Sequence, residues 1–517
     1  MLRNVDLTRG GVSVAAAALL AATMLVPGVT HAQNKAKAVT VVLSEEPDNL
    51  DGCGNTKSNN GRVIHNNAVE GLTQIDYKTG TLLPRLALSW QQMNPTTWRF
   101  KLREGVTFHD GAPFNAENAA KAVNRVVATK LDCHSRLEYF GKVNATAKAV
   151  DASTIDIVTE IPEPILPTFM TWVMLVSPNT PMDKLAQTAV GTGAYAFEKY
   201  TPGQEILMKR NDKYWGTKPQ AETVRFVWRN ESSVRAAMIK IGEADLTDNI
   251  AAQDVDKAGT GFRDISYPNA ETAFLRMDAM IPPLDDKRLR LALNLAVDRE
   301  SLRGTVFPKD VLPAANLVMP GIAGHNPNLK PWPYDLAKAR QLFAEAKAAG
   351  APVDKEITLY GRGNLYPNSQ ESMEALLAMW TGIGFKMKIV MLESANWSKL
   401  HGKPFADDRG PSIIQTRHNN QTGDAVFTAD SKWGCTGRFS VVCDPALDKL
   451  VAEATQLPTG PERAKKFQEA FRIAHEEKIV DIAQFNLVGF VRVGSRIDYT
   501  PTPLTNNSLE IASITFK

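Results

Sequence analysis

The chain has 517 residues, 44% of them hydrophobic and 22% charged, which places it among ordinary globular proteins with room for two or three domains. Its 59 basic and 56 acidic residues leave a net charge of +3, too even to predict a nucleic-acid-binding surface. Composition therefore excludes a small disulfide-stapled domain, and we expect no nucleic-acid partner.

The N-terminal segment has the pattern of a secretory signal peptide. Arg3 and Arg9 precede an apolar, alanine-rich run over residues 12–26, and small residues surround a cleavage point after Ala32. The run is shorter than the ~20 residues that a membrane-spanning helix needs. We therefore expect residues 1–32 to be removed and the mature chain to be periplasmic.

The four cysteines fit disulfide bonds in an exported protein. Cys435 and Cys443 flank a short turn-like run and are the favoured pair, which would leave Cys53 for Cys133. Four cysteines allow three connectivities, so the pairing stays open. A metal site is the alternative, but no C-x-x-C motif occurs. We expect structural disulfides and no cofactor.

The first elements of the mature chain are predicted to alternate between strand and helix. Residues 38–44 form a β-branched strand, residues 62–72 have a helical pattern, and residues 154–161 form another strand. Asn115 is placed to cap a helix that begins near Ala116.

Residues 190–216 concentrate glycines and aromatic rings without a helical period. The alternation in AYAFEKY and the return in EILMKR, separated by a Thr-Pro-Gly turn, predict a β-hairpin. The tail NDKYWG is expected to seal this hairpin against a core, because rings at alternating spacing usually pack.

From residue 285 onward the pattern becomes α/β. Asp285 and Asp286 precede a run with one apolar helical face. Acidic residues stabilise a helix N-terminus, so a helix is predicted to begin after them. A second helix over residues 334–350 ends in Gly350, which fits the left-handed conformation that often terminates helices.

A β-α-β unit follows and predicts where a ligand binds. Its parts are a strand at 356–361, a helix at 369–384 and a strand at 385–392, with a further strand at 412–417. Ligands of such sheets bind outside the carboxyl ends of the strands. The candidate ligand-binding residues are polar or aromatic side chains at or near such strand ends: Glu45, Arg362, Tyr366, His418, Asn419, Asn420, Gln421, Asp424 and Trp433.

Seven segments, taken in order, resemble the extracytoplasmic solute-binding proteins of ABC importers, in the family of dipeptide- and oligopeptide-binding proteins (family 5). They span nearly the whole mature chain: EEPDNLD, LREGVTFHDGAPFNAENA, the 190–216 run, IGEADL, PPLDDKRLRLALNLAVDRESL, YDLAKARQLFAEAKAAG and YTPTPLTNNSLEIASITF. The resemblance implies an α/β, two-lobed periplasmic-binding-protein fold of type II, in the large peptide-binder class. It also implies an extra subdomain in lobe 1 and hinge closure.

The same resemblance implies where the domains begin and end. After the signal peptide, the expected parts are the first part of lobe 1 (33–82), its extra subdomain (83–189), its second part (190–277), lobe 2 (278–500) and a C-terminal return to lobe 1 (501–517).

In peptide-binding members an aspartate of the second lobe holds the ligand's amino group, and GDAVF places Asp424 at the matching position. A buried ammonium needs a charge partner and several acceptors, which Asp424 and the amides of Asn419 and Asn420 offer. Arg362 offers a bidentate fork for a carboxylate or phosphate. The alternatives are an ordinary turn aspartate and a solvated loop arginine. Replacing Asp424 with Ala is expected to weaken a cationic ligand and leave stability nearly unchanged.

We expect a monomeric, non-enzymatic binding protein that captures a small polar solute between two lobes and delivers it to an ABC transporter permease in the inner membrane. The amide-rich loop after residue 417 suits sugars or opine conjugates as readily as peptides. Trp397, Trp433 and Tyr366 are rings that could stack on the solute, although packing is their commoner role.

Three alternatives stay open. Nickel- and haem-binding proteins share the implied fold, and His65, His109, His134 and His418 are candidate metal ligands, although lone histidines more often serve as polar filler. An exported hydrolase is the second, but no G-x-S-x-G motif or complete zinc-protease motif occurs. A chaperone-like protein without a small ligand is the third, because fold does not dictate use.

Overall fold

The computed structural model describes residues 37–517, except for 55–57, 77–80, 128–130, 132, 134, 137–139, 141–142, 364 and 421. The predicted signal peptide, His134 and Gln421 therefore lie outside the described residues. Within the described part, no helix is both long and apolar enough to cross a membrane.

Strands and helices occur along the whole described chain. The strands are β1 (Ala38–Leu43), β2 (Thr73–Asp76), β3 (Thr81–Pro84), β4 (Ala87–Asn94), β5 (Thr97–Leu102), β6 (Ala145–Asp151), β7 (Thr154–Thr159), β8 (Tyr195–Thr201), β9 (Glu205–Arg210), β10 (Thr223–Trp228), β11 (Leu246–Thr247), β12 (Phe262–Met277), β13 (Leu312–Pro313), β14 (Ile357–Arg362), β15 (Met387–Leu392), β16 (Ser412–Asn419), β17 (Asp481–Gly494), β18 (Ile497–Asp498) and β19 (Thr515–Phe516). The helices are α1 (Ser58–Ile64), α2 (Ala116–Val127), α3 (Leu166–Phe169), α4 (Ser232–Lys240), α5 (Lys287–Leu295), α6 (Arg299–Leu302), α7 (Leu336–Ala348), α8 (Ser369–Thr381), α9 (Ser394–His401), α10 (Val426–Trp433), α11 (Pro445–Thr455) and α12 (Pro461–Arg472).

Among the described residues, eleven strands form one mixed sheet, in the order β15-β14-β16-β12-β17-β11-β1-β10-β9-β8, with β13 paired to β17. A separate sheet has the order β4-β5-β7-β6, and α2 packs on it. Strands β14 and β15 are parallel, as are β14 and β16, so the predicted β-α-β unit is confirmed.

Two long strands, β12 and β17, join the two halves of the main sheet. They pair antiparallel, with an interruption in register between Pro268 and Thr272. On one side their residues pack into a core with β1 and β10, and on the other into a core with β14 and β16. We call these sides the first lobe (37–267 and 488–517) and the second lobe (272–486). The chain thus crosses between lobes twice, which is the predicted hinge architecture; the finer domain boundaries stay predictions.

The lobes contact each other through the four-stranded sheet region of the first lobe. Its apolar core continues into α10 and α12 of the second lobe. The rings of Phe169 and Phe427 lie 5.3 Å apart between centroids across this contact.

Local capping predictions are confirmed at two helices. The Asn115 side chain accepts a hydrogen bond from the Asn118 backbone N–H at 3.0 Å, at the start of α2. Asp286 accepts from the Arg288 N–H at 2.9 Å, at the start of α5. Short polar side chains satisfy N–H groups that the first helical turn leaves unpaired, so both helices begin where the sequence places them.

The predicted helix over residues 62–72 is wrong, because α1 ends at Ile64. Asn66 has a φ of 60°, in the left-handed region that a helix cannot continue through. The Asn67 side chain instead donates to the Leu509 carbonyl at 2.7 Å, near the end of the chain. A contact 442 residues away in sequence therefore replaces local helical bonding.

The predicted hairpin is β8 paired with β9, and its aromatic tail packs as expected. The tail also binds a buried carboxylate, Glu70. Tyr214 Oη donates to it at 3.0 Å and Trp215 Nε1 at 2.9 Å. Thr192 Oγ1 donates at 2.7 Å and Arg85 Nε at 2.9 Å, so four donors of the first lobe surround one carboxylate.

Two disulfides occur in the structure, Cys53–Cys133 and Cys435–Cys443. Each joins Cα atoms 4.5 Å apart, and both match the pairing favoured from sequence. The first disulfide links the loop before α1 to the segment after α2. The second closes the loop that follows α10.

Candidate ligand-binding site

Two arginines lie at the carboxyl ends of parallel strands in the second lobe. Arg362 ends β14, and Arg417 lies near the end of β16. Burial, and secondarily the charge of Arg417, lowers the pKa of Arg362, while Glu45 and Glu271 act in the opposite direction. Two guanidiniums and two carboxylates therefore act on one another at this edge of the sheet.

Glu271 lies on β12 where the chain crosses between lobes, and its side chain is buried. Arg417 of the second lobe pairs with it at 2.6 Å. Asn506 of the first lobe donates to it at 2.9 Å, and Asn269 donates at 3.2 Å. One carboxylate thus binds groups from both lobes.

Asn506 connects this carboxylate to a second buried pair in the first lobe. Arg62 of α1 donates from Nη2 to Asn506 Oδ1 at 2.7 Å, and its Nε contacts the Asp248 carboxylate. Asp248 is fully buried, and burial raises its pKa. A chain of charged and amide groups therefore runs from Asp248 through the crossing to Arg417 of the second lobe.

Glu45 brings the first lobe to the same place. It is exposed after β1 and accepts a hydrogen bond from Asn59 Nδ2 at 2.9 Å. Asn59 Oδ1 in turn accepts from Arg62 Nη1 at 2.5 Å. The charge of Glu45, on the first lobe, acts to raise the pKa of Arg362 on the second lobe.

An aromatic ring supports Arg362. The guanidinium carbon lies 5.2 Å from the centroid of the Trp397 ring. Trp397 is itself fixed, because its Nε1 donates to the Gln415 carbonyl at 3.1 Å and its ring stacks on His401. Cation–π contact with a fixed ring therefore restrains the guanidinium.

Asp424 is buried and already paired. Arg463 of α12 donates from Nε and Nη2 to its two oxygens at 3.0 and 2.9 Å, and the Val426 N–H donates at 2.9 Å. Arg463 is also buried. The charge expected to hold a ligand's amino group is therefore balanced inside the second lobe.

Three residues near Asp424 in the sequence also contact other groups of the protein. Thr428 Oγ1 lies 2.5 Å from Nε2 of His418, and burial holds the pKa of His418 well below its usual value. Asn420 is buried; its Oδ1 accepts from the Met319 N–H at 3.2 Å. Asn419 is partly buried and pairs with Glu271 in the strand ladder, so it alone of these lies beside the charged groups.

Tyr366 and Trp433 lie in the second lobe's interior rather than with Arg362. Tyr366 Oη donates to Gln484 at 3.2 Å and accepts from Gln415 at 2.9 Å. Trp433 Nε1 donates to Asp481 Oδ2 at 3.0 Å. Their roles as ligand contacts, like that of Gln421 outside the described residues, stay predictions.

The histidines considered as metal ligands lie apart from one another. His65 packs edge-on against Trp172 with centroids 4.7 Å apart, and His109 Nε2 lies 2.9 Å from the Gly193 carbonyl. Across the described ranges, no group of three or more His, Cys, Asp or Glu side chains is placed to hold a metal.

Four charged residues of the site were not singled out from sequence: Arg62, Asp248, Glu271 and Arg417. Glu271 and Arg417 lie in strands that hold several other polar residues, so no local pattern marks them. Arg62 and Asp248 carry no mark either, because only the fold brings them together.

Two lobes joined by two strand crossings, with polar groups of both lobes bound to one carboxylate at the crossing, have the architecture of a two-lobed solute-binding protein. A family model described as bacterial extracellular solute-binding proteins, family 5 (middle), matches residues 81–440. The chain belongs to this family, whose members bind solutes.

Relatives of known name extend the match over most of the chain. The dipeptide-binding protein of Escherichia coli (strain K12) is 26% identical over 483 residues, which cover 85% of this chain and 88% of that protein. The glutathione-binding protein of Salmonella typhi is 27% identical over 422 residues, which cover 76% and 80%.

Solved structures show the same fold. A dipeptide-binding protein from Pseudoalteromonas sp. SM9913, in complex with Met-Leu, has a TM-score of 0.79 at 18% identity, covering 93% of this chain and all (100%) of that one. The binding protein AgaA from A. tumefaciens R10, in complex with agropinic acid, has a TM-score of 0.75 at 20% identity, covering 93% and 99%.

Proposed function

We propose that this protein captures a small polar solute, a peptide or an opine or sugar conjugate, in the periplasm and delivers it to the permease of an ABC transporter in the inner membrane. The observation that carries the proposal is the group of charged residues at the strand crossing, where Glu271 binds Arg417 of the second lobe and Asn506 of the first. A solute bound at this place contacts both lobes at once.

Contact with both lobes is the physical requirement for capture. A solute stabilises the closed form only by interactions that the open form does not make. Moving a hinge from mostly open to mostly closed takes a ~10⁴-fold difference in affinity, about 5.5 kcal/mol. Hydrogen bonds to charged groups contribute roughly 1.5–3 kcal/mol each, so two to four of them across the cleft suffice.

We assign the charged groups by chemistry. Arg362 suits a carboxylate, because guanidinium donors match its two oxygens. Glu45 suits an ammonium or hydroxyl groups on the same solute. Arg417 and Glu271 bind each other, so we assign them to coupling the lobes. Dipeptides and glutathione, named for the relatives, carry both an ammonium and a carboxylate. Asp424 is assigned to holding the second lobe together with Arg463, since its charge is already balanced.

Mass spectrometry of the solute that co-purifies with protein from its native host tests the proposal. We expect a small zwitterion or polar acid at near-stoichiometric amount, and its re-addition to unfolded-and-refolded protein should change tryptophan fluorescence. Protein that carries no solute and shows no fluorescence change across a broad panel of peptides and opines would favour a chaperone-like function instead. Chemical turnover of the solute would favour a hydrolase.

We also propose that export removes residues 1–32. N-terminal sequencing of periplasmic protein should then begin at Gln33, and a start at Met1 would contradict the signal peptide.

A further inference from the structure

Glu163 is a buried carboxyl that the solute site does not use. It lies in the first lobe just before α3, in a segment fixed to the four-stranded sheet. Trp98 Nε1 of β5 donates to its backbone carbonyl at 2.9 Å, and the Ile165 N–H donates to its carboxyl at 3.4 Å. The segment therefore moves with the first lobe.

Three charged groups act electrostatically on Glu163, and each belongs to the second lobe: Arg463 on α12, Asp424 before α10 and Asp430 on α10. The flanking residues also meet the second lobe, because a cavity of about 310 Å³ is lined by Pro162 and Pro164 on one side and by Gln456 and Pro458 on the other. Glu163 thus lies in an interface that exists only while the lobes are together.

Two other carboxylates act on Glu163 in this interface. Arg463 is already bound bidentately by Asp424. The charges of Asp424 and Asp430 oppose ionisation of Glu163, and that of Arg463 favours it. Burial raises the pKa of Glu163 from 4.5 to about 7, and the two aspartates act in the same direction.

We propose that Glu163 is a pH-sensitive latch that holds the extra subdomain of the first lobe against the second lobe when its carboxyl is protonated. The latch rests on the proposed function, because lobe closure is what encloses the solute. Closure takes up a proton from solvent, and opening returns it.

The sign of the effect follows from proton linkage. A carboxyl with a higher pKa in the closed form binds more protons there, so the closed form loses stability as pH rises from about 4.5 to about 7 and is level above that. Between about pH 5.5 and about pH 8, the ratio of closed to open protein should fall on the order of tenfold.

Small-angle X-ray scattering of solute-free mature protein at about pH 5.5 and about pH 8 measures this ratio directly. The wild type should have the smaller radius of gyration at the lower pH. Glu163→Gln should have the same radius at both, because its side chain has the shape of the protonated acid and does not titrate. The matched control is Glu160→Gln, since Glu160 lies on the same segment, is exposed and should leave the wild-type response intact.

A wild type without a pH response, or a Glu163→Gln variant that keeps it, overturns the latch. Infrared spectroscopy of the wild type keeps the test independent of the variant's folding. A protonated-carboxyl band should persist near pH 6, and its absence there also overturns the latch. No solute enters these measurements, so the two proposals are tested separately. A protein that captures solute without pH-dependent closure contradicts only the latch. A protein that closes as the pH falls and captures no solute contradicts only the proposed function.

Discussion

Glu70 and Glu271 are both buried carboxylates bound by an arginine, yet their partners differ in origin. Glu70 accepts from donors that all belong to the first lobe, including Arg85. Glu271 accepts from Arg417 of the second lobe and from Asn506 of the first. A carboxylate whose partners lie in one lobe stabilises that lobe, whereas one whose partners lie in both couples the lobes.

The comparison gives a way to separate structural from functional charges in this fold. Buried charge is weak support for either role, because desolvation offsets much of the attraction. The distribution of partners decides instead. Arg463 with Asp424 belongs with Glu70, since both members lie in the second lobe. Arg362, on which the charge of Glu45 acts from the first lobe, belongs with Glu271.

The largest expected effect comes from Glu70. Replacing it with Gln leaves the guanidinium of Arg85 without its counter-charge, which should lower the free energy of unfolding by about 3–5 kcal/mol. Urea unfolding followed by circular dichroism measures this. Glu198→Gln, at an exposed position of the same lobe, is the control and should change stability by less than about 0.5 kcal/mol. Equal stability of the two variants would contradict the role of Glu70 in stabilising the first lobe.

Asp424→Ala should behave like the Glu70 variant. The sequence predicts nearly unchanged stability, but the structure reverses this expectation because Arg463 would be left buried without a partner. We expect a loss of about 3 kcal/mol or more in the same unfolding measurement. If Asp424→Ala keeps the stability of the wild type and binds the solute more weakly, Asp424 belongs to the solute site.

Glu271→Gln tests the buried carboxylate whose partners lie in both lobes. The amide keeps some hydrogen bonds, and Arg417 is 27% exposed and can be solvated, so the stability loss should be about 1–2 kcal/mol. Removing a negative charge from the cleft should also strengthen binding of an anionic solute and weaken that of a cationic one. Calorimetry with the co-purified solute and its uncharged analogue checks the sign; identical changes for both would contradict a role in the cleft.

Arg362→Ala should have the smallest effect on stability and a selective effect on binding. Loss of a guanidinium at a partly exposed position should lower affinity for a carboxylate-bearing solute about tenfold, or about 1.4 kcal/mol. Arg362→Lys should restore only part of it, because an ammonium lacks the bidentate fork. An equal loss for a solute analogue whose carboxylate is amidated would refute the assignment.

Local patterns of the sequence predict much of the fold. Asp286 and Asn115 begin helices where their side chains satisfy local N–H groups, and the hairpin and the β-α-β unit are determined by short-range alternation and turns. The helix predicted over 62–72 fails because its residues bond to the C-terminal tail instead. Periodicity contains no information about a partner that distant in the chain.

The site was harder to predict for the same reason. Arg362 and Glu45 were proposed as site residues because a strand end is visible in sequence and ligands bind there, and their roles stay predictions. Asp424 was assigned from resemblance, and its pairing with Arg463 depends on how α12 packs 39 residues later. Arg62, Asp248 and Glu271 come together only through the crossing of β12 and β17, so no local pattern brings them to attention.

The crossing strands also determine the order in which the chain can assemble. The second lobe is one continuous stretch, so its core can form as soon as residue 486 is available. The core of the first lobe includes both Val39 and Ile514, and Asn67 bonds to Leu509, so this core needs residues from both ends of the described chain. Closing so long a loop costs entropy and slows folding. We therefore expect the second lobe to be able to form its core before the first lobe does.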